Sequence, residues 1–374
     1  MSRLPDVIER LDANRVRWRG RKLLFFGGCD YFRLSRHPRV LRAAGRALRE
    51  TGLSVSASRL TTGNHPLYSE LETALARFFS AGSAVVVANG YATNLIVAQA
   101  LAGKVTHVFL DAAAHPSLVD AAGGFEAPIR PFRHCDLVHV RALARRLPTK
   151  ARPILLTDGL FASDGTVAPL REYLRALPRS ALLLVDDAHG AGVLGKHGRG
   201  SLEHESVPRD RVIQTITLSK TIGGYGGAIL GSRALKARIV SGSRMFIGST
   251  PPPLPAVRAA LESLAVLKAT PSLRQRLQQN AARVRHQLRN AGVHVPDAPG
   301  PIIAITPARP AVAARLQRAL LDRAILPPFV RYPGSPNGGH FRFVISSEHT
   351  RPQLDALTAA LASVLASSSQ ERVS

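Results

Sequence analysis

Short apolar runs alternate with amphipathic stretches along most of the chain. Apolar residues at helical spacing predict helices over Pro38–Glu50, Pro66–Phe79, Asn94–Leu101, Val138–Leu147 and Leu170–Leu177. The apolar runs between them predict strands over Ser83–Ala88, Val105–Leu110, Pro153–Thr157, Ala181–Val185, Val212–Thr217 and Ala228–Leu230. These runs are continuous and partly β-branched, which is typical of strands buried on both faces. Strands separated by helices predict an α/β fold with a mostly parallel sheet.

The pattern changes after the Pro-rich segment Pro251–Pro253. Two long helices are predicted over Pro253–Lys268 and Leu273–Ala291. They are followed by strands at Pro301–Thr306 and Phe341–Ser346 and by helices at Ala311–Arg323 and Gln353–Ala366. We therefore expect an N-terminal segment (1–35), a large domain (36–270) and a smaller α+β C-terminal domain (271–374).

Composition fits a globular enzyme. The chain has 374 residues, of which 45% are hydrophobic and 20% charged. No apolar run is long enough to cross a bilayer, and the N-terminal region lacks the apolar stretch of a secretory signal. We expect a cytoplasmic protein with no membrane association. The two cysteines, Cys29 and Cys135, form no disulfide framework, and no Cys/His group has zinc spacing, so no metal is expected.

The formal net charge of +25 is large for a chain of this length. Such a charge is found in nucleic-acid-binding proteins. Here the basic residues are spread along the whole chain, without a basic tail, and Arg dominates over Lys. This distribution favours a compositional bias over a nucleic-acid site. A positive field also attracts acidic substrates, such as a coenzyme A (CoA) thioester or an acyl carrier protein.

The segment ALLLVDDAHGAGVLGKHGRGS (181–201) carries an apolar strand directly into two acids and a histidine, Asp186, Asp187 and His189. Ligands of open α/β sheets bind at the carboxyl ends of strands. A carboxylate there can hold a cationic ring nitrogen by a charge-assisted hydrogen bond. Gly190, Gly192 and Gly195 also spell G-x-G-x-x-G, but the further glycines that follow argue against the helix that a dinucleotide site requires.

A second segment, TITLSKTIGGYGG (215–227), ends a predicted strand at Thr217 and places Lys220 before a glycine cluster. An amine can form an imine, whereas a guanidinium cannot, so a lone Lys at a strand end in an Arg-dominated chain indicates covalent chemistry. The glycines follow the lysine, which excludes a Walker motif. A surface lysine in a glycine-rich turn is the alternative.

Three further features are weaker. Gly90 lies where a predicted strand gives way to a helix, a position that suits a phosphate. His115 follows another strand and could stack on an aromatic ring or serve only as a structural hydrogen-bonding residue. Arg342, between Phe341 and Phe343, could bind a buried carboxylate or point outward.

Together these segments resemble the α-oxoamine synthases, enzymes that depend on pyridoxal 5'-phosphate (PLP). The most specific pieces are DDAHGAGVLGKHGRGS (186–201) and TLSKTIGGYGG (217–227), and the resemblance extends from about Asp30 to Ala366. It implies the fold type I of PLP-dependent transferases, with a mostly parallel seven-stranded sheet and a smaller α+β domain. It also implies a homodimer that condenses an amino acid, most simply alanine or glycine, with an acyl thioester on CoA or on an acyl carrier protein, with decarboxylation.

The resemblance also implies residue roles. Lys220 would carry PLP as a Schiff base and later move the α-proton, and Asp186 would hold the pyridine nitrogen protonated. Asp186 is preferred over Asp187 because the family has this Asp three residues before the His, and neighbouring strand positions face opposite ways. His189 would contact the phenolic oxygen of the ring, and His115 would stack on the ring face.

The remaining implied roles concern the phosphate and the substrate. Gly90, Tyr91 and Thr217 would contact the phosphate, Thr250 would reach the phosphate of the neighbouring subunit, and Arg342 would bind the substrate carboxylate. The chain departs from the family pattern at Cys29, Ala162 and Phe329. The alternatives are an aminotransferase of the same fold, a family member that binds PLP without turnover, and a non-catalytic nucleic-acid-binding protein.

Overall fold

The computed structural model describes residues 6–330 and 339–370, with side chains given up to residue 366. The chain divides into two compact units. The smaller unit contains the described parts of Met1–Arg33, Ala162–Thr166 and Ser272–Ser374, and the larger unit contains Leu34–Phe161 and Val167–Pro271.

The described strands form three sheets. The strands are β1 (Glu9–Arg10), β2 (Arg15–Trp18), β3 (Arg21–Leu24), β4 (Ser83–Val87), β5 (His107–Asp111), β6 (Ile129–Phe132), β7 (Pro153–Asp158), β8 (Leu182–Asp186), β9 (Val212–Thr217), β10 (Gly227–Gly231), β11 (Ile302–Ile305), β12 (Phe329–Val330) and β13 (His340–Val344).

The α-helices vary in length from 4 residues in α7 to 20 residues in α13. The helices are α1 (Pro38–Thr51), α2 (Pro66–Phe78), α3 (Gly90–Leu101), α4 (Pro116–Ala122), α5 (Leu137–Arg145), α6 (Leu170–Ala176), α7 (Ser201–His204), α8 (Arg233–Gly242), α9 (Arg244–Gly248), α10 (Leu254–Ala269), α11 (Ser272–Asn290), α12 (Pro310–Asp322) and α13 (Arg351–Gln370).

The larger unit is built on the seven-stranded sheet, whose order is β4-β10-β9-β8-β7-β5-β6. The five strands from β9 to β6 run parallel, and β10 lies antiparallel to both of its neighbours. The predicted α/β class and the mostly parallel seven-stranded sheet are therefore confirmed.

Both faces of this sheet are covered by apolar side chains. In β7, Ile154 and Leu156 pack into one hydrophobic cluster while Leu155 packs into the other. Because strand side chains alternate between faces, a strand with two buried faces must be apolar throughout. This explains why the strands appear in the sequence as continuous runs.

The smaller unit has its own core. The sheet order β11-β13-β12 is antiparallel, and its phenylalanines Phe341 and Phe343 pack with residues of α11, α12 and α13. The N-terminal strands β1, β2 and β3 form a separate antiparallel sheet in which Val16 and Leu23 are buried.

The predicted elements correspond to observed ones, with shifted ends. The start of α3 shifts by four residues: the helix begins at Gly90 instead of Asn94 because Asn89 caps it, its side-chain oxygen accepting the Ala92 N–H at 2.9 Å. The sequence pattern missed β1–β3, which are too short and too rich in arginine to show alternation clearly. It also missed β6, β12, α4, α7, α8 and α9. None of the helices in the described ranges is long and apolar enough to span a membrane.

Candidate active site

Four parallel strands deliver polar residues to one edge of the large sheet. Asp111, Asp158, Asp186 and Thr217 are the last residues of β5, β7, β8 and β9. The register pairs Asp158 with Asp186 across β7 and β8. In open α/β sheets this edge is where ligands bind.

A cavity of about 290 Å³ opens at this edge. Seven of the residues singled out in the sequence line it: Gly90, Tyr91, His115, Asp186, His189, Thr217 and Lys220. The other lining residues are Asn89, Ser117, Asp158, Ala188 and Ser219. The fold therefore brings together segments that are up to 130 residues apart in the chain, from Gly90 to Lys220.

Lys220 and His189 are in direct contact in this cavity. The Lys220 Nζ lies 2.8 Å from the His189 Nε2. His189 is buried, and Lys220 is partly exposed. The contact fixes the position of an amine that would otherwise move at the end of a flexible side chain.

Asp186 is held by a network of buried polar groups. Its Oδ2 accepts hydrogen bonds from the Asn94 amide at 2.7 Å and from the Ser117 hydroxyl at 3.3 Å, and its Oδ1 accepts the Ala188 N–H at 3.1 Å. The Asn94 amide oxygen in turn accepts the Thr215 hydroxyl at 2.8 Å. The carboxylate is thus fixed in orientation from several sides.

The neighbouring Asp187 has a different environment. Its Oδ2 accepts the Gln214 amide at 2.6 Å and the Ser201 N–H at 3.0 Å, and it does not line the cavity. Burial raises the pKa of Asp187 to about 7, against the lowering effect of these hydrogen bonds. Asp187 ties the loop after β8 to α7 and β9.

His115 caps α4 and is fixed by its neighbours. Its N–H donates to Asp158 Oδ2 at 2.8 Å, and its Nδ1 lies 2.8 Å from the Ser117 hydroxyl. Burial lowers the pKa of His115 below its ordinary value, against the opposite effect of Asp186. The imidazole is therefore neutral at neutral pH and suited to stacking on a flat ring.

Asp158 lies behind His115. Burial, and then the Asp186 carboxylate, raise the pKa of Asp158 well above its usual range, whereas the His115 N–H acts in the opposite direction. Asp158 thus positions the backbone of His115, whereas Asp186 accepts hydrogen bonds from a different set of donors.

The start of α3 forms a small cradle. A Cβ added at Gly90 would lie 2.7 Å from the Thr217 Cβ and 2.8 Å from its hydroxyl, so only glycine allows this close approach. The Thr217 hydroxyl is also 2.8 Å from that of Ser219. The first backbone N–H groups of a helix together with hydroxyls form a typical anion site.

Thr250 and Arg342 have other surroundings. Thr250 is exposed and lines a small pocket with Arg59 and Phe246 instead of the Lys220 cavity. In the smaller unit, Arg342 donates through Nε to the Ala162 carbonyl at 2.8 Å, and its Nη atoms lie 3.6 and 3.7 Å from the Cys29 sulfur. Two of the three departures from the family pattern, Cys29 and Ala162, therefore contact Arg342.

Sequence reasoning missed several of these groups. The sequence pattern places Asn94 only at the start of a helix and gives Ser117 and Asp158 no role in the site. The available signals were an asparagine inside an otherwise apolar helix and an aspartate that ends a buried strand, because such groups need buried partners.

The comparisons with known proteins agree with this geometry. Residues 23–361 match the family described as aminotransferase class I and II. The 8-amino-7-oxononanoate synthase of Alkalilimnicola ehrlichii is 35% identical over 369 residues, which cover 97% of this chain and 94% of the relative.

Two solved structures extend the comparison. Serine palmitoyltransferase of Sphingomonas wittichii superposes with a TM-score of 0.90 at 29% identity, covering 95% of this chain and 90% of that one. A serine palmitoyltransferase solved with PLP superposes with a TM-score of 0.90 at 28% identity, covering 96% of this chain and 92% of that one.

The chain therefore belongs to the aminotransferase class I and II family, with the fold type I of PLP-dependent transferases. Within that family it is an α-oxoamine synthase, as the sequence resemblance indicated.

Proposed function

We propose that this α-oxoamine synthase uses the Lys220 cavity to condense an amino acid with an acyl thioester, with decarboxylation, to give an α-amino ketone. The proposed activity is that of 8-amino-7-oxononanoate synthase, with alanine and a thioester derived from a dicarboxylic acid as substrates. The observation that carries the proposal is the Lys220 amine, held 2.8 Å from His189 in a cavity that Asp186 also lines.

The residues of this cavity fit PLP, the cofactor of the family. Asp186 offers a carboxylate to a pyridinium N–H, His115 offers a neutral ring face, and Lys220 offers an amine to an aldehyde. The cradle at Gly90 and Thr217, which a Cβ would fill, suits the phosphate. Each functional group of the cofactor thus has its own matching group in the cavity.

Bound PLP supplies an electron-withdrawing ring that stabilises negative charge at the α-carbon of the amino acid. The chain supplies the groups that make this ring effective. Asn94, Ser117 and the Ala188 N–H hold both oxygens of Asp186, so Asp186 would present a fixed carboxylate to the ring nitrogen. A carboxylate fixed in this way favours the protonated ring.

Lys220 and His189 have different roles in this proposal. Lys220 would hold the cofactor covalently, and its amine would serve as the base that removes the α-proton of the amino acid. The contact between Nζ and His189 Nε2 orients this amine. His189 would also contact the phenolic oxygen of the cofactor.

Two roles rest on the resemblance. Arg342 would bind the carboxylate of the amino acid. Its two Nη atoms contact the Cys29 sulfur, a weak acceptor that a carboxylate could readily replace. Thr250 would reach the phosphate of the second subunit in a homodimer, which agrees with its exposure.

The test is a product assay with purified, PLP-loaded protein. Free thiol should be released from an acyl-CoA only when the correct amino acid is present, with one CO₂ per thiol. Titration with glycine, alanine and serine should change the visible spectrum for the true substrate. Formation of a 2-oxo acid without thiol release would show that the protein is an aminotransferase instead. Binding of PLP without formation of any product would show that the protein does not catalyse the proposed condensation.

A further inference from the structure

A second cluster of reactive side chains lies outside the Lys220 cavity. Asp111 ends β5, whereas His134 and Cys135 follow β6, and one donor atom of each lies within 4.8 Å of the others. The Asp111 Oδ1 is 2.9 Å from the His134 Nδ1, and its Oδ2 accepts the Cys135 N–H at 3.2 Å. None of the three lines the cavity.

A fourth side chain, Tyr173, lies next to this cluster. Tyr173 of α6 is fully buried, and its hydroxyl has no nitrogen or oxygen as a hydrogen-bond partner among the described residues. Burial raises the pKa of Tyr173, as do, in order, the nearby Cys135 and Asp111 and a side-chain hydrogen bond with Cys135, so the Cys135 sulfur is the acceptor nearest to this hydroxyl. A thiol sulfur is only a weak acceptor for a buried hydroxyl, whereas a zinc-bound thiolate is a charged and stronger one.

We propose that Asp111, His134 and Cys135 bind one Zn²⁺ ion, with the Tyr173 hydroxyl donating to the zinc-bound sulfur. Zinc is favoured because the donor set combines a thiolate, an imidazole and a carboxylate. The two anionic ligands match the charge of the ion. An ion between Asp111 Oδ1 and His134 Nδ1 takes the place of the hydrogen that now links them.

The position of the cluster indicates a structural role for the ion. Asp111 Oδ1 also accepts the Ala113 N–H at 2.9 Å, and Ala113 lies two residues before His115. Cys135 has a left-handed backbone, with φ of 53°, and precedes Asp136, the residue that caps α5. Zinc would therefore join the loop that carries His115 to the start of α5.

The partial exposure of His134 and Cys135 leaves a route for the ion. The side chain of Asp111 is fully buried, so it would be the inner ligand. A hydrogen-bonded Asp–His pair without metal is the competing interpretation, and it leaves the Tyr173 hydroxyl with only a thiol sulfur, a weak acceptor, as its partner.

The experiment measures zinc binding to the PLP-loaded protein after treatment with a chelator. ZnCl₂ is titrated in competition with a chromophoric zinc indicator, for wild type and for Cys135→Ser, His134→Gln and Tyr173→Phe. The control is Cys29→Ser, because Cys29 is the other cysteine of the chain. Crystals soaked in ZnCl₂ are measured on both sides of the zinc absorption edge.

We expect one tight site per chain, at least about 100-fold weaker in Cys135→Ser and His134→Gln, weaker in Tyr173→Phe and unchanged in Cys29→Ser. The anomalous peak should lie among Asp111, His134 and Cys135. Equal zinc affinity in wild type and Cys135→Ser, or a peak elsewhere, would overturn the proposal. The readouts do not depend on activity, so they are independent of the function proposed for Lys220.

Discussion

Replacing Asn94 by alanine tests whether the buried network around Asp186 is needed to hold the cofactor. Asn94 sits in α3 and joins three groups through its amide: Asp186 at 2.7 Å, the Ser117 hydroxyl at 2.9 Å and the Thr215 hydroxyl at 2.8 Å. The variant Asn94→Ala removes all three bonds at once. The Asp186 Oδ2 then keeps only the longer bond from Ser117.

The size of the effect follows from these bonds. A hydrogen bond to a charged acceptor contributes about 1.5–3 kcal/mol, and a neutral bond about 0.5–1.5 kcal/mol. The Thr215 hydroxyl keeps a long contact of 3.4 Å to the Val185 carbonyl, which limits its loss. We expect the free energy of unfolding to fall by about 2–4 kcal/mol and PLP to bind about tenfold more weakly, which corresponds to about 1.4 kcal/mol.

The assay combines urea unfolding of the PLP-free protein with titration of PLP. The matched control is Asn290→Ala, since Asn290 is an exposed residue at the end of α11 and should change stability by less than about 0.5 kcal/mol. If Asn94→Ala unfolds at the same urea concentration as wild type and binds PLP equally well, the network does not support Asp186, and this part of the reasoning is wrong.

Three further predictions concern single residues. Gly90→Ala forces a Cβ to 2.7 Å from the Thr217 Cβ and should weaken PLP binding by about 1–3 kcal/mol, whereas Gly123→Ala, with open space around its Cβ, should leave it unchanged; equal Kd values in the two variants would contradict the cradle. Asp187 has a folded pKa of about 7, above its ordinary 3.8, so the native state binds more protons between these values and its stability contribution falls as pH rises from about 4 to 7. The free energy of unfolding of Asp187→Asn should lack this decrease, which amounts to at most roughly 4 kcal/mol in the wild type. If urea unfolding gives parallel curves of stability against pH for the two proteins, the raised pKa of Asp187 is refuted. Arg342→Lys loses the planar two-Nη geometry and should raise KM for the amino acid by about tenfold without changing Kd for PLP; an unchanged KM would exclude it as the carboxylate ligand.

Residues close in sequence to a distinctive strand end were predictable. Lys220 and the Asp186–His189 segment follow apolar strands, and the carboxyl ends of parallel strands meet at one edge, so their approach followed from the pattern alone. The choice between Asp186 and Asp187 also depended on local geometry, because successive strand residues face opposite ways. The structure gives the two aspartates different partners, as this alternation requires.

Contacts between distant elements were not predictable in this way. Asn94 lies in an apolar helix, and nothing in its neighbourhood indicates Thr215 or Asp186 as partners. The cluster of Asp111, His134 and Cys135 was missed because the aspartate is 23 residues from the histidine, a spacing that matches no zinc motif. Such groups meet only because β5 and β6 pair in parallel.

The most direct test of the account is to locate the covalent bond between PLP and the chain. Borohydride reduction of the PLP-loaded protein, followed by proteolysis and mass spectrometry, fixes the cofactor on the lysine that carries it. We predict one phosphopyridoxyl group per chain, on Lys220. Labelling of a different lysine, such as Lys236, whose Nζ bonds to Glu72 instead, or no labelling at all, would contradict it.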